Sequence, residues 1–352
     1  MNKLIFIILS LLVFTVACNN KTEKEDKSTE ELGSTFDSTS LQTTKLNEEE
    51  AGDQTFLMNY KFNPGEVLKY RMSVFSRNEQ HMEADTIMDS SFDQTLIYLI
   101  NFKTISIDED EIIELQCTVS SINLNASGMG KEITYQSGTK SDSVDQQQFA
   151  EHESFINNPF NLRVNKYGEL IEIYKTDKIL NSYLSLRGLQ DSVKTEDKAV
   201  LKQDLSERII KPLIAQIIRE VPKHKMAKDS TWSYQRQSIP ILTFNIDYKN
   251  LYKIGGLELF EDQKVAVIDG TVETKITGES TYSEGSVNYQ FQKPISSASG
   301  KIYFNLDKGL IQKSRTETRM ETAFTVEMPT PQGMQKGNTR EIVTNVNVLE
   351  LL

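Results

Sequence analysis

In the stretch Ile113 to Val119 the odd positions Ile113, Leu115, Cys117 and Val119 are apolar and the even positions Glu114, Gln116 and Thr118 are polar. Side chains of an extended chain point alternately to its two faces, so this pattern is a strand with one buried face. It recurs at Phe56 to Phe62, Val67 to Phe75, Leu96 to Ile107, Phe160 to Val164, Leu170 to Tyr174, Trp232 to Arg236 and Leu242 to Ile254. Further copies lie at Val265 to Ile276, Ser286 to Phe291, Lys301 to Asn305, Leu310 to Phe324 and Glu341 to Leu349. Turn signals separate the runs, among them Asn63-Pro64-Gly65, Asp108 to Asp110, Lys166-Tyr167-Gly168 and Asp307-Lys308-Gly309. Connections this short join antiparallel neighbours, because a parallel pair needs a long crossover. The pattern confines the chain to an α+β, mainly β fold built on curved antiparallel sheet.

Two segments in the middle break the period. Asp177 to Gly188 carries Ile179, Leu180, Tyr183, Leu184 and Leu186, and Glu196 to Val221 carries Leu205, Ile209, Ile210, Leu213, Ile214, Ile217 and Ile218. Both have helical spacing, which predicts two central amphipathic helices packed on the sheet. Pro212 predicts a kink or a fresh helix start, and Pro222 a helix end. "VNKYGELIEI" from Val164 and "NLDKGLIQKS" from Asn305 share an asparagine, a turn glycine and a following aliphatic pair. They suggest two similar halves, 55–175 and 229–352, around helices at 176–222.

The N-terminus has its own logic. After the basic Lys3, the 14 residues Leu4 to Ala17 are almost wholly apolar. A membrane-spanning helix needs about 20 such residues, so the run fits a secretion signal better than a permanent span. Thr15, Val16, Ala17 and Cys18 resemble the lipobox of bacterial lipoproteins, with Thr15 standing where leucine is usual. The resemblance implies cleavage between Ala17 and Cys18 and lipidation at Cys18, whose thiol can carry a diacylglycerol. Two or more acyl chains, at about 0.8 kcal/mol per buried methylene, anchor a protein stably. An ordinary secretion signal cut near Ala17, leaving Cys18 a thiol, is the alternative. Asn19 is not the aspartate that the enterobacterial sorting rule associates with inner-membrane retention, so the resemblance implies an outer-membrane destination. "KTEKEDK" after the cysteine resembles the export signal of some surface lipoproteins of Bacteroidota, or is a solvated spacer.

Residues 18–54 hold ten acids against four bases, with apolar residues isolated at Leu32, Phe36, Leu41 and Leu46. Such composition cannot offset its ordering entropy and predicts a disordered tether. The whole chain carries a formal charge of −11. Half of the mature protein's negative charge lies in that tether, and the weakly acidic remainder speaks against nucleic acid as a partner.

Candidate chemistry is sparse. His81, His152 and His224 lack the spacing of a helical metal site, and no cofactor motif occurs. Cys117 falls on an inward register, as a buried small apolar residue would. The acidic run Asp108 to Glu111 lacks the spaced ligands and central glycine of a calcium loop and reads as a solvated hairpin tip. Trp232, Tyr234, Tyr248, Tyr252, Tyr282 and Tyr289 could line a groove or simply pack across strands. No phosphate cradle, serine elbow or paired catalytic acids appears, which points away from an enzyme.

Four stretches, "YKFNPGEVLKYRM", "NPFNLRVNKYGELIEI", "DSTWSYQ" and "SGKIYFNLDKGLIQKSRTETRMETAF", resemble an uncharacterised family of Bacteroidota lipoproteins, a domain of unknown function. The resemblance covers most of residues 55–352 and implies ancestry and fold, with no activity to transfer. Two expectations remain. One is a non-enzymatic carrier of a hydrophobic ligand, with Leu205, Ile209, Leu213, Ile214, Ile217 and Ile218 as a helix covering its cavity. The other is a scaffold lipoprotein that binds another envelope protein through strand edges.

Overall fold

The computed structural model describes residues 41–46, 54–139, 147–331 and 333–352. The expected secretion signal, Ala17, Cys18 and most of the tether lie outside the described residues. In chain order the strands are β1 (Thr44–Lys45), β2 (Val67–Glu83), β3 (Ile87–Ile107), β4 (Ile112–Gly128), β5 (Lys131–Gln136), β6 (Phe160–Asn165) and β7 (Leu170–Tyr174). After the helices come β8 (Thr231–Gln235), β9 (Ile239–Ile241), β10 (Phe244–Phe260), β11 (Gln263–Gly278) and β12 (Thr281–Glu284). The last are β13 (Val287–Phe291), β14 (Ile295–Asn305), β15 (Leu310–Thr330) and β16 (Gly333–Leu351). All sixteen belong to one open antiparallel sheet with the path β1-β10-β11-β14-β15-β16-β2-β3-β4-β6-β7. The last strand, β16, pairs with β2, so an early and the final strand meet in the middle of one sheet.

Several strands are far longer than the apolar alternation that reveals them. β2 continues past Phe75 to Glu83 and β3 begins at Ile87 rather than Leu96. In their base halves one face carries Leu68, Tyr70 and Met72 of β2, Ile100 and Phe102 of β3, and Ile302 and Phe304 of β14, all buried in a single core. Further along the same strands that face turns polar, with Ser76 opposite Asn345 and Gln94, and Asn78 opposite Val343 and Phe92. β4 changes register midway: Ser121 pairs with Leu99 and Val119 with Ile100, so Ser120 is the extra residue of a bulge. The bulge moves the buried set from the odd positions up to Val119 to the even positions Ile122 and Leu124, with no change of face.

Among the described residues the helices include α1 (Ala150–Glu153), α2 (Asp177–Leu186), α3 (Thr195–Asp204) and α4 (Lys211–Ile217), with a π-helical stretch at Leu205–Ile210 joining the last two. Pro212 stands at the start of α4. Without an N–H it cannot bond the carbonyl of Arg208, and the wider turn just before it is how the chain absorbs that loss. The helix ends at Ile217, before Pro222, because Ile218 turns extended into the core and the Arg219 N–H is taken by Tyr60 Oη at 2.8 Å. Ile179, Leu180, Leu184, Ile210, Ile214 and Ile217 join the sheet's apolar face in one cluster.

Phe56 to Phe62 is a buried strap, not the expected strand. It makes one bridge, Phe56 to Met226, and buries Met58, Tyr60 and Phe62. Its backbone reaches both hairpin turns that the sequence makes alike: Tyr60 N–H bonds Lys166 C=O at 2.7 Å and Lys61 N–H bonds Gly309 C=O at 3.1 Å. In each turn an asparagine side chain caps the following amides, Asn165 to Tyr167 and Glu169, Asn305 to Asp307 and Lys308. Gly168 and Gly309 both have positive φ, and a Cβ on either would lie within 2.7 Å of strap or helix-end backbone. The likeness of the halves is thus local to two turns that clasp one strap. The expected tether is also shorter than 18–54: β1 pairs with Leu259 and Glu258 of β10, because Leu41 and Leu46 find apolar seats.

Candidate functional site

A strand that buries one face against helices presents its other face away from them. Strand register places Ile97 and Leu99 of β3, Ser73 and Phe75 of β2, and Val346 and Val348 of β16 side by side on that second face. The buried residues of α2, of the π-helical stretch and of α4 belong to the core on the first face. Yet Val348 is 1 % exposed, Ile97 and Leu99 5 % and Val346 8 %. Ile97 and Leu99 form a cluster that contains no other described apolar side chain. The far side of the sheet is thus built like a core here, as it is at Val265, Val267 and Tyr303, where Leu41 and Phe260 pack.

Ions frame the strip. The next row toward the helix end runs Val267, Tyr303, Lys313, Glu350, Arg71 and Leu99. Arg71 donates to Glu350 Oε2 from Nε at 3.0 Å and from Nη2 at 2.6 Å, and Lys313 Nζ lies 3.2 Å from Glu350 Oε1. These side chains are only 13 %, 14 % and 8 % exposed, so two cations and one carboxylate are largely desolvated beside the apolar row. Such groups are tolerated when they bond one another, and they fix the geometry of whatever lies against them. On the other border Arg77 grips Asp93 through two bonds of 2.7 and 2.6 Å, which holds the Asp93 carboxyl below its ordinary range.

Beyond that border the same face carries two shallow hollows. One of about 510 Å³ is lined by Glu79, His81, Asp89, Arg340 and Ile342, and one of about 290 Å³ by Asp93, Asn125, Glu132 and Thr134. His81 Nδ1 lies 2.6 Å from an Asp89 oxygen, an exposed pair at a hairpin that no described serine joins by a hydrogen bond. Glu321 is gripped by Arg340 and then Arg319, and both lower its carboxyl. This is a solvated charge ladder.

The helical stripe expected to cover a cavity instead fills the core. Leu205, Ile214, Ile217 and Ile218 are buried, Leu213 packs against the same cluster, and Ile209 points outward at 52 % exposure. Neither hollow lies beneath these residues, and close packing of the stripe against sheet side chains is the reason. The six aromatic residues do not converge. Trp232 stacks on Tyr252 at 5.2 Å with Tyr234 edge-on, whereas Tyr282 and Tyr289 join Phe291 and Phe324 toward the far end of β15. Cys117 is fully buried, and burial pushes its thiol well above the ordinary range. Asp108 caps Asp110 and Ile112 in the hairpin turn and pairs with Arg163 at 3.0 Å. Among the described residues no group of three or more His, Cys, Asp or Glu could hold a metal ion. No described helix is long and apolar enough to cross a membrane. Sequence reasoning missed the strip, although "LIYLI" at Leu96 to Ile100 has apolar residues on both parities, the signature of a strand buried on both faces.

A family model described as a family of unknown function, DUF6263, matches residues 110–311. No curated protein matches the chain. Among solved structures, a lipovitellin structure described for its lipid-protein interactions is similar at 11% identity and a TM-score of 0.42, over 83% of this chain and 25% of that one. The chain thus spans about a quarter of that relative's length. The channel OccK5 of Pseudomonas aeruginosa aligns at 6% identity and a TM-score of 0.18, over 80% of this chain and 98% of that one.

Proposed function

The chain belongs to the family of unknown function DUF6263, and since membership brings no activity with it, we propose from the chain's own geometry that it is a non-enzymatic envelope lipoprotein that binds a hydrophobic ligand. The observation that carries this is the strip of Phe75, Ile97, Leu99, Val346 and Val348 on the face turned away from the helices. Lipidation of Cys18, supported by the sequence Thr15 to Cys18 after a 14-residue apolar run, anchors the protein at the outer membrane. A fluorescent fatty acid titrated into the soluble Cys18→Ser protein tests the binding reading. Ile97→Asn together with Val346→Asn should weaken it at least tenfold, while Ile209→Asn on the exposed helix face leaves it unchanged. No saturable binding by the parent would sink the reading.

A second reading, a scaffold that docks another envelope protein, is favoured by hairpin tips. Ile87 at 66 %, Met129 at 78 % and Met334 at 63 % exposure put large apolar side chains at three successive turns. Crosslinking in cells from cysteines at Met129 and Met334 should recover one constant partner under this reading, and scattered products would discard it.

A further inference from the structure

A hydroxyl buried without a hydrogen-bond partner costs free energy, because nothing replaces the water it has given up. Ser73 carries such a hydroxyl. It is 1 % exposed, its Oγ has no hydrogen-bond partner among the described residues, and strand register sets it in the apolar strip between Val348 and Ile97. One strand beyond Val348 in the same cross-sheet row stands Arg315 of β15. Its Nη2 donates to Glu317 Oε2 at 3.0 Å, while its Nε is buried and likewise without a partner among the described residues. Two donors without acceptors thus flank Val348 from either side. Thr104 and Thr176 also bury hydroxyls that lack partners, but Thr104 lies on the core face opposite Leu115 and Thr176 at the start of α2. Each of those has a methyl group whose burial offsets the cost, and serine has none.

We propose that the hydrophobic ligand is an acyl chain whose carbonyl group lies over Val348 and accepts hydrogen bonds from Ser73 Oγ and Arg315 Nε. This rests on the binding function proposed above and names the class of ligand. The spacing suits it. β15 and β2 are two strand spacings apart, about 10 Å, and two hydrogen bonds of about 2.9 Å to one oxygen-bearing group close that span once both side chains lean inward. A guanidinium can only donate, and the serine hydroxyl can donate beside it, so the group between them must accept. Because Glu317 already meets the Arg315 charge, an ester serves as well as a free acid.

The tail has one apolar direction. Toward β11 the row runs from Arg315 through Lys301 to Asp269, all charged. Toward β4 it passes Ser73 to Ile97, with Leu99 and Phe75 in the adjacent rows, and ends at Asn123, opposite Ile97, and Ser121, opposite Leu99. From Val348 to Ile97 is again two strand spacings, about 10 Å, the reach of a medium-length chain. Apolar contact holds the tail, and the two hydrogen bonds fix which way it points.

The test uses the full chain with Cys18→Ser and displacement of the fluorescent fatty acid, whose own affinity is measured for each variant. Decanoic acid and methyl decanoate should displace it at concentrations about tenfold or more below decyltrimethylammonium, which has the same tail and no acceptor. A preference between the first two tells a free acid from an ester, and either supports the carbonyl. Ser73→Ala and, separately, Arg315→Met should weaken both acyl competitors about fivefold and leave decyltrimethylammonium unchanged. Removing a hydroxyl that bonds nothing in the protein should also leave the thermal midpoint of Ser73→Ala where it is or raise it. A fall of several degrees would show that the fold itself uses the hydroxyl, and overturns the assignment. If acyl and ammonium competitors act alike and Ser73→Ala changes neither, the strip binds by apolar area alone: the carbonyl site falls and the proposed function stands. If the parent binds neither probe nor competitor saturably, both fall together.

Discussion

The base halves and the far halves of the same strands are held by different forces. In β2, Leu68, Tyr70 and Met72 sink into a core shared with the helices, while Ser76, Asn78 and Gln80, on the same face a few residues on, have no helix over them. Pairing continues without interruption from one half to the other. What changes is the source of stability: apolar burial at the base, and backbone ladders with cross-strand polar pairs beyond it. A sheet can be prolonged past its core, and the prolonged part should open at lower free energy than the base.

The sharpest way to break the contrast is to hollow the base. Ile214 is 1 % exposed in the cluster that joins helix to sheet. Ile214→Ala should cost about 2–5 kcal/mol and lower the midpoint of global unfolding in urea. A loss under 1 kcal/mol would mean that the helices contribute little to holding the sheet.

Acid probes the edge of the base. His152 stacks on Tyr135 at 5.8 Å, and burial lowers its pKa to about 4. A histidine kept neutral by the fold contributes its stability above its unfolded pKa of about 6.5, and the contribution is lost as pH falls toward 4, up to about 3 kcal/mol. His152→Phe should flatten the stability profile between pH 6.5 and 4, read as thermal midpoints across that range. An unchanged slope would place the acid sensitivity elsewhere.

The clasped strap comes next. At Gly309 an added Cβ would meet Lys61 N at 2.6 Å and Asn59 O at 2.7 Å, at a positive φ. Gly309→Ala should cost about 1–3 kcal/mol. Gly285, also at positive φ in a far-half turn with open space around it, should lose less on the same change.

The legibility of the fold follows the same divide. The base was readable because Ile113 to Val119 or Val67 to Phe75 contrast apolar with polar positions. Ser76 to Glu83 offers no such contrast, so period-2 reasoning stops where the core stops and not where the strand does. The strap deceived for the opposite reason: Phe56, Met58, Tyr60 and Phe62 alternate and are mostly buried, yet they pack as a connector. Five of the six stripe residues pack against the sheet, Ile209 points outward, and no hollow lies beneath the stripe, since spacing reports a buried face and not what it faces. The strip went unread because Val346 and Val348 alternate correctly while burying the face opposite Leu349.

The smallest effect should come from the far half itself. Asn78 Nδ2 donates to Glu341 at 2.7 Å, and Ser76 Oγ to Asn345 at 2.6 Å, both between β2 and β16. A cross-strand pair of this kind is worth about 0.2–1 kcal/mol. Asn78→Ala should therefore leave global unfolding almost where it was, because the base sets that free energy. Its effect belongs in native-state hydrogen exchange, where amides of Ser76 to Glu83 should lose protection while those of Leu68 to Met72 keep theirs. If both stretches respond together, the strands open as one unit and the division into two regimes fails.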